Sequence, residues 1–243
     1  MTSLSLAVLG PLAVTRAGAP VVDFGYNKVR ALLAFLAVEP NRPQSRAHLC
    51  ALLWPDLPEA ASRRNLSQAL TQLRRALDLP PPAEPLLLSN QTDVQLNPNW
   101  SITVDALEFI RLLEASERHP HHSWHTCAEC AGRLRAALDY YHGDFLVALA
   151  LPDSVPFEEW SLLWRERLRQ RALSALQRLA AGAEWRGAFS QAAAYARRQA
   201  ELDPLNEAGQ RDAIRLLALN GEPAAALAQY AEMQRVQIGR AHV

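Results

Sequence analysis

The segment from Arg63 to Arg75, RRNLSQALTQLRR, brings together side chains that can hydrogen-bond to nucleic-acid bases and phosphates. It holds four arginines and no acidic residue, so its local charge is +4. Arginine can bond guanine through two N–H groups, asparagine or glutamine can bond adenine, and further arginines neutralise phosphates. This composition predicts contact with the major groove of DNA. The side chains expected to make that contact are Arg63, Arg64, Asn65, Ser67, Gln68, Thr71, Gln72, Arg74 and Arg75.

The spacing of the leucines in this segment predicts an amphipathic helix. At 100° per residue, Leu66, Leu70, Leu73 and Leu77 fall within about 40° of one another and form one apolar stripe. The arginine, amide and hydroxyl side chains lie on the other side. The exposed face of an ordinary helix mixes both charge signs, and the face from Arg63 to Arg75 does not, which favours a binding face. The alternative is a polar face that is only solvated.

The neighbouring elements are those that would position such a helix. Short strands are expected within Leu4–Val14 and Val21–Phe24, two helices from Asn27 and from Ser45, a third from about Pro58 to Asp78, and a hairpin of Leu86–Ser89 with Val94–Leu96. Asn90, Gln91 and Thr92 form the hairpin turn and are further candidate DNA contacts. This order is that of a winged helix-turn-helix with an added amino-terminal sheet, assigned to residues 1–98.

The remainder, residues 99–237, is expected to be helical. Arg186-Gly187 and Asn220-Gly221 each precede an alanine-rich helix, and the two glycines are 34 residues apart, which is the tetratricopeptide period. The prediction is therefore a mainly α protein with a small β component, in which a winged helix-turn-helix domain precedes a tetratricopeptide-like repeat domain. An irregular alanine-rich bundle is the alternative. Residues 238–243, IGRAHV, are interpreted as a possible non-native tail.

Composition excludes several classes of protein. Basic and acidic residues number 25 each and hydrophobic residues make up 49 %, so we expect a globular chain whose attraction for nucleic acid is local. No apolar run approaches the length of a membrane span, no secretory signal is evident, and three cysteines favour a reducing compartment, so the expected location is the cytoplasm. The motifs GxSxG and HExxH and a glycine-rich phosphate loop are missing, so we expect neither enzyme activity nor a cofactor.

The segment HPHHSWHTCAEC places thiol and imidazole groups close together. We expect no metal site here, because no second CxxC supplies the remaining ligands. The alternative is zinc, with Cys127, Cys130, His125 and His122 as the candidate ligands.

Four segments of the chain resemble the SARP-type bacterial transcriptional activators. They are VVDFGYNKVRALLAFLAV, SRAHLCALLWPDLPEAASRRNLSQALTQLRRALD, YYHGDFLVALALPDSVPFEEWSLLWRERLR and AELDPLNEAGQRDAIRLLALNGEPAAALAQY. The resemblance implies a winged helix joined to a bacterial transcriptional activation domain (BTAD), binding to promoter direct repeats as a homodimer on DNA, and contact with RNA polymerase. By position, Arg63 to Arg75 would be the recognition helix and Asn90 to Thr92 the wing.

Two other interpretations of the chain stay open. One is a helical-repeat adaptor or scaffold in which the winged helix is another interaction module. The other is the amino-terminal part of a larger signal-transduction ATPase regulator.

Overall fold

A computed structural model describes residues 3–39, 42–77, 84–120 and 123–241, with side chains as far as residue 235. Within these residues the chain forms two compact units. The first contains the chain up to Phe109 together with Tyr140–Leu168, and the second contains Ile110–Asp139 and the chain from Arg169 onward. The predicted division after residue 98 stays a prediction about domains, and the compact units follow a different division.

The strands are β1 (Ser3–Ala7), β2 (Ala13–Arg16), β3 (Ala19–Val21), β4 (Gln44–Ser45), β5 (Leu87–Ser89), β6 (Asp93–Leu96) and β7 (Ser101–Val104). The helices are α1 (Asn27–Val38), α2 (Arg46–Leu53), α3 (Glu59–Leu77), α4 (Asp105–Glu117), α5 (Ala128–Leu138), α6 (Val155–Trp185), α7 (Phe189–Leu202), α8 (Glu207–Leu219) and α9 (Pro223–Ala241). A short 3₁₀ turn covers Trp124–Thr126. The mainly α fold with a small β component is confirmed.

A four-stranded sheet in the order β3-β2-β1-β7 forms one part of the first unit. β1 and β2 are antiparallel, as the glycine and proline breaks predict, whereas β1 and β7 are parallel, with Leu4 opposite Ile102 and Leu6 opposite Val104. β7 was not predicted, because a parallel partner about 100 residues away leaves no local signal in the sequence. The Asp105 carboxylate follows β7 and accepts hydrogen bonds from the amides of Val8, at 2.8 and 3.0 Å, and Leu9, at 3.0 Å.

Helices α1, α2 and α3 bury their leucines against one another. The predicted stripe of α3 is confirmed, because Leu66, Leu70, Leu73 and Leu77 are all fully buried. Ser45 caps α2 as expected, its hydroxyl accepting a hydrogen bond from the His48 amide at 3.1 Å. With its inner side fixed by this packing, α3 must turn its polar side outward.

The predicted hairpin is present and belongs to a second sheet. β5 and β6 pair antiparallel, with Leu87 opposite Leu96, and the short strand β4 extends the sheet on the far side of β6. β4 leads directly into α2, so the sheet connects the hairpin to the start of that helix.

The segment Tyr140–Leu168 completes the core of the first unit. Phe145 is fully buried and forms bridges with Leu9 and Gly10, and the Leu146 amide donates to the Val8 carbonyl at 2.8 Å. Trp160 packs its ring against Phe35 and Phe157 at centroid distances of 5.1 and 5.3 Å. These aromatic residues therefore have a structural role.

Helices α7, α8 and α9 pack in succession in the second unit, around a core of alanine and leucine. Gly187 and Gly221, which stand one repeat apart, both have positive φ, 71° and 79°. The same left-handed turn thus joins α6 to α7 and α8 to α9, where a side chain would be strained. Leu227 is 69 % exposed, although its counterpart one repeat earlier, Ala193, is buried.

Over the residues that the structure describes, no helix combines the length and the apolar character that a bilayer crossing requires.

Candidate nucleic-acid interface

The outer side of α3 carries the residues that the sequence singled out. Those exposed to solvent are Arg63, Arg64, Ser67, Gln68, Thr71 and Arg75, and those half-buried are Asn65, Gln72 and Arg74. The helix therefore presents guanidinium, amide and hydroxyl groups together along one accessible side. Its single acidic residue, Glu59, lies in the first turn.

Several of these side chains already make contacts within the unit. Arg63 pairs with Glu59 one turn earlier at 2.7 Å. The hydroxyl of Ser67 donates to the Arg63 carbonyl, and that of Thr71 donates to the Ser67 carbonyl, both at 2.9 Å. Because their protons are used within the helix, the two hydroxyls can act toward a ligand mainly as hydrogen-bond acceptors. The charged groups with the greatest freedom on this side are Arg64 and Arg75.

The hairpin turn is fixed by its own side chains. The side-chain oxygen Oδ1 of Asn90 accepts hydrogen bonds from the amides of Thr92 and Asp93, at 2.8 and 2.7 Å, and from the Thr92 hydroxyl at 2.9 Å. This arrangement uses Asn90 to shape the turn and leaves Gln91 at its exposed tip. Arg74 of α3 donates to the Ser89 hydroxyl at 2.6 Å and so connects this helix to the hairpin.

Arg46 belongs to the same surface and was missed in the sequence analysis. Its backbone amide donates to the main-chain carbonyl of Thr92 at 2.7 Å, and its side-chain Nε donates to the main-chain carbonyl of Asn90 at 3.0 Å. A signal for this residue exists, because a basic side chain in the first turn of α2 opposes the helix dipole and is costly there. The two hydrogen bonds to the hairpin turn account for its position.

An open groove runs between the start of α2, the outer side of α3 and the hairpin turn. It has a volume of about 820 Å³. Its lining residues are Ser45, Arg46, Ala47, Arg63, Ser67, Asn90, Gln91 and Thr92. Two arginines and no acidic residue line it, so the groove is suited to an anionic backbone.

The cysteine and histidine candidates lie in the second unit. Cys127 and Cys130 come together with His119, whose Nδ1 is 3.6 Å from Cys127 Sγ and 3.4 Å from Cys130 Sγ. His125 is not part of this cluster, and its Nδ1 is buried with no hydrogen-bond partner among the described residues. His122 lies outside the described residues. Proximity in sequence pointed to His125 and His122, whereas the histidine that the described residues place beside the two thiols is His119.

The two thiols differ in acidity. Hydrogen bonding from the Cys130 amide at the start of α5 lowers the pKa of Cys127. Burial raises the pKa of Cys130, whose Sγ lies 3.6 Å from the Ser116 carbonyl oxygen.

Comparison with known proteins identifies the family. The model of the bacterial transcriptional activator domain matches residues 104–238, which is more than half of the chain. The chain belongs to this family of transcriptional regulators, and the resemblance to SARP-type bacterial transcriptional activators is confirmed. The predicted winged helix-turn-helix lies in the first unit, and the family match covers most of the helical remainder.

Two comparisons find similarity to EmbR. The transcriptional regulatory protein EmbR of Mycobacterium bovis and of Mycobacterium tuberculosis is 36 % identical over 74 residues, which are 30 % of this chain and 19 % of that protein. A solved structure of Mycobacterium tuberculosis EmbR in complex with a low-affinity phosphopeptide matches with a TM-score of 0.69 at 23 % identity. That match covers 97 % of this chain and 60 % of the EmbR chain, and it shows a common fold.

Proposed function

We propose that this BTAD-family chain binds promoter DNA through its winged helix-turn-helix. In this proposal α3 enters the major groove, Arg64 and Gln68 face base edges, and the turn of Asn90, Gln91 and Thr92 lies near the minor groove. The observation that carries the proposal is the outer side of α3. Arg64, Gln68, Thr71 and Arg75 are exposed together there, while the buried leucines hold the helix in place.

Arg46 and Arg63 are assigned to phosphate contact in the same proposal. Both line the groove beside the hairpin turn, and the first helix of a helix-turn-helix crosses the DNA backbone at its amino end. At the two sides of that groove, the Ser67 hydroxyl can accept a hydrogen bond and the Gln91 side-chain amide can donate or accept one. Helix termini and backbone amides commonly contribute to phosphate binding in such sites.

Membership of an activator family extends the proposal to partners. We expect two protomers to occupy adjacent direct repeats and to contact RNA polymerase, so that the chain activates transcription. No cofactor and no catalytic step enter this function. A helical adaptor that does not bind DNA is the competing outcome in the experiment below.

Binding to genomic promoter fragments, measured by fluorescence anisotropy at several salt concentrations, tests the proposal. Arg64→Ala is expected to weaken binding to a selected site by about 1–3 kcal/mol and to relax its sequence preference. Arg75→Ala is expected to weaken binding to all sequences alike and to reduce the slope of log K against log salt by about 1.

Arg135→Ala is the matched control. Arg135 is an exposed arginine of α5, so this variant removes the same charge from the other unit. It should bind DNA as the wild type does. If all three variants match the wild type, or if no genomic fragment is bound above the level of random DNA, the assignment of α3 fails.

A further inference from the structure

The geometry of His119, Cys127 and Cys130 points to a zinc site in the second unit, and we propose that this cluster binds one Zn²⁺ through the two thiolates and the imidazole Nδ1. This inference is independent of DNA binding. It concerns residues that the proposed function does not use.

The distances between the three groups are those expected for ligands of a single metal ion. With Zn–S near 2.3 Å, Zn–N of 2.0–2.1 Å and a tetrahedral angle, a sulfur and a nitrogen on the same zinc are roughly 3.6 Å apart. The observed separations from His119 Nδ1 are 3.6 Å to Cys127 and 3.4 Å to Cys130. All three ligand atoms lie within 4.8 Å of one another, so one ion can reach them with little rearrangement.

The far side of the imidazole is held as in known zinc sites. His119 Nε2 lies 2.9 Å from a carboxylate oxygen of Glu129, and Arg133 pairs with the other oxygen of that carboxylate. Arg133 also donates to the Ala115 carbonyl at 3.0 Å. A carboxylate that accepts the Nε2 proton leaves the Nδ1 lone pair facing the sulfurs, and this carboxylate–histidine arrangement orients histidine ligands toward zinc.

A hydrogen bond alone accounts less well for this arrangement. Neutral His119 has a single lone pair at Nδ1 and can accept one S–H bond well, yet two sulfurs lie at similar distances from it. Cys130 also has the Ser116 carbonyl within reach as an acceptor for its proton in the metal-free state. Metal binding would displace the thiol protons, because zinc is coordinated by thiolates and not by protonated thiols.

The donor set selects the metal by its chemistry. Two thiolates and one imidazole are soft to borderline ligands, which suit Zn²⁺ and disfavour Mg²⁺ and Ca²⁺. Three protein ligands leave a fourth tetrahedral position for a water molecule or another donor. The site would join the residues after α4 to the first turn of α5, so its role is to fix that connection.

The test uses the full chain without an affinity tag, purified under reducing conditions. Metal content is measured by mass spectrometry, and the metal-free protein is titrated with Co²⁺, whose thiolate charge-transfer and visible d–d bands report sulfur ligands and tetrahedral geometry. We expect one Zn²⁺ per chain, intense d–d bands, and a melting temperature that falls when a chelator removes the metal.

Variants separate the proposed ligands from their neighbours. Cys127→Ala and Cys130→Ala should lose the metal, and His119→Ala should bind it at least about 10-fold more weakly. Glu129→Gln should weaken binding by about 10- to 100-fold while keeping the same spectrum. The matched controls His125→Ala, a histidine of the same loop, and Cys50→Ala, a buried thiol of α2, should bind metal as the wild type does.

Three results would overturn the proposal. The wild type binds neither Zn²⁺ nor Co²⁺, or His125→Ala loses the metal while His119→Ala keeps it, or Cys127 and Cys130 are recovered as a disulfide from protein purified without oxygen. None of these results depends on DNA binding, so the proposed function can succeed or fail separately.

Discussion

Arg63 shows how a single residue can limit the charge of a binding surface. It is one of the two arginines that line the groove, yet its guanidinium is paired with Glu59 one turn earlier. Both side chains are well exposed, 61 % and 77 %, so the pair is weak in water and can open when a phosphate approaches. If α3 binds DNA as proposed, the carboxylate stays near the site and repels the phosphates of the DNA backbone.

Glu59→Gln is therefore expected to strengthen DNA binding. Removing one like charge beside the phosphates should raise affinity by roughly two- to fivefold, equivalent to the ~0.4–1 kcal/mol of an exposed charge interaction. The measurement is fluorescence anisotropy at constant salt with one promoter fragment. Glu207→Gln is the matched control, because Glu207 is the acidic residue in the first turn of α8. Weaker or unchanged binding by the Glu59 variant would contradict the orientation proposed for α3.

At the scale of elements, local patterns predicted most of the helices and none of the long-range pairing. The stripe of Leu66, Leu70, Leu73 and Leu77 was visible in the sequence because helical periodicity is a local property. β7 was not, since its parallel pairing with β1 depends on a partner far along the chain. The sequence pattern pointed to His125 and His122 rather than His119 for the same reason, because contacts that join separate segments decide which histidine lies beside the thiols.

Contacts between helices of the second unit depend in part on pH. Glu184 of α6 and Arg215 of α8 form paired hydrogen bonds, one of 2.9 Å between Nη2 and Oε2, and they lower the pKa of Glu184. A carboxylate whose pKa is lowered on folding stabilises the native state above its unfolded pKa of about 4.3. That contribution disappears as the pH falls through the lower folded-state pKa. Both groups are partly exposed, so the contribution is about 0.5–1 kcal/mol.

Urea denaturation at several pH values measures this contribution. Glu184→Gln should lower the free energy of unfolding by about 0.5–1 kcal/mol at pH values of about 6–7. The difference from wild type should shrink once the pH falls below about 4. Glu201→Gln, which removes an exposed carboxylate of α7, should change the free energy of unfolding by less than about 0.5 kcal/mol at any pH. A difference for Glu184→Gln that persists undiminished in acid would show that packing, not the ion pair, is responsible.

At the scale of the whole molecule, the winged helix-turn-helix is completed by residues that follow it in the chain. β7 pairs with β1, the Asp105 carboxylate accepts the Val8 and Leu9 amides, and Phe145 is fully buried beside Leu9 and Gly10. The family match, which begins at residue 104, includes two of these three supports. The surface that would bind DNA therefore depends for its stability on part of the region assigned to transcriptional activation.

A fragment ending at residue 98 should not fold as the full chain does. It lacks β7, Asp105 and Phe145, so it would expose one edge of β1 and leave the amides of Val8 and Leu9 without their acceptor. We expect a poorly dispersed amide NMR spectrum and no cooperative thermal transition for this fragment. The full chain should give a well-dispersed spectrum and a cooperative thermal transition.

Two substitutions in the full chain test the same dependence without truncation. Asp105→Ala should lower the free energy of unfolding of the first unit by about 3 kcal/mol, because it removes a buried acceptor shared by several backbone amides. Asp56→Ala removes an exposed carboxylate of the same unit and should change this free energy by less than about 0.5 kcal/mol. If the fragment of residues 1–98 instead melts cooperatively and binds DNA, the division expected from the sequence alone is the true domain boundary. The contacts of Asp105 and Phe145 would then be additions to a domain that is already complete.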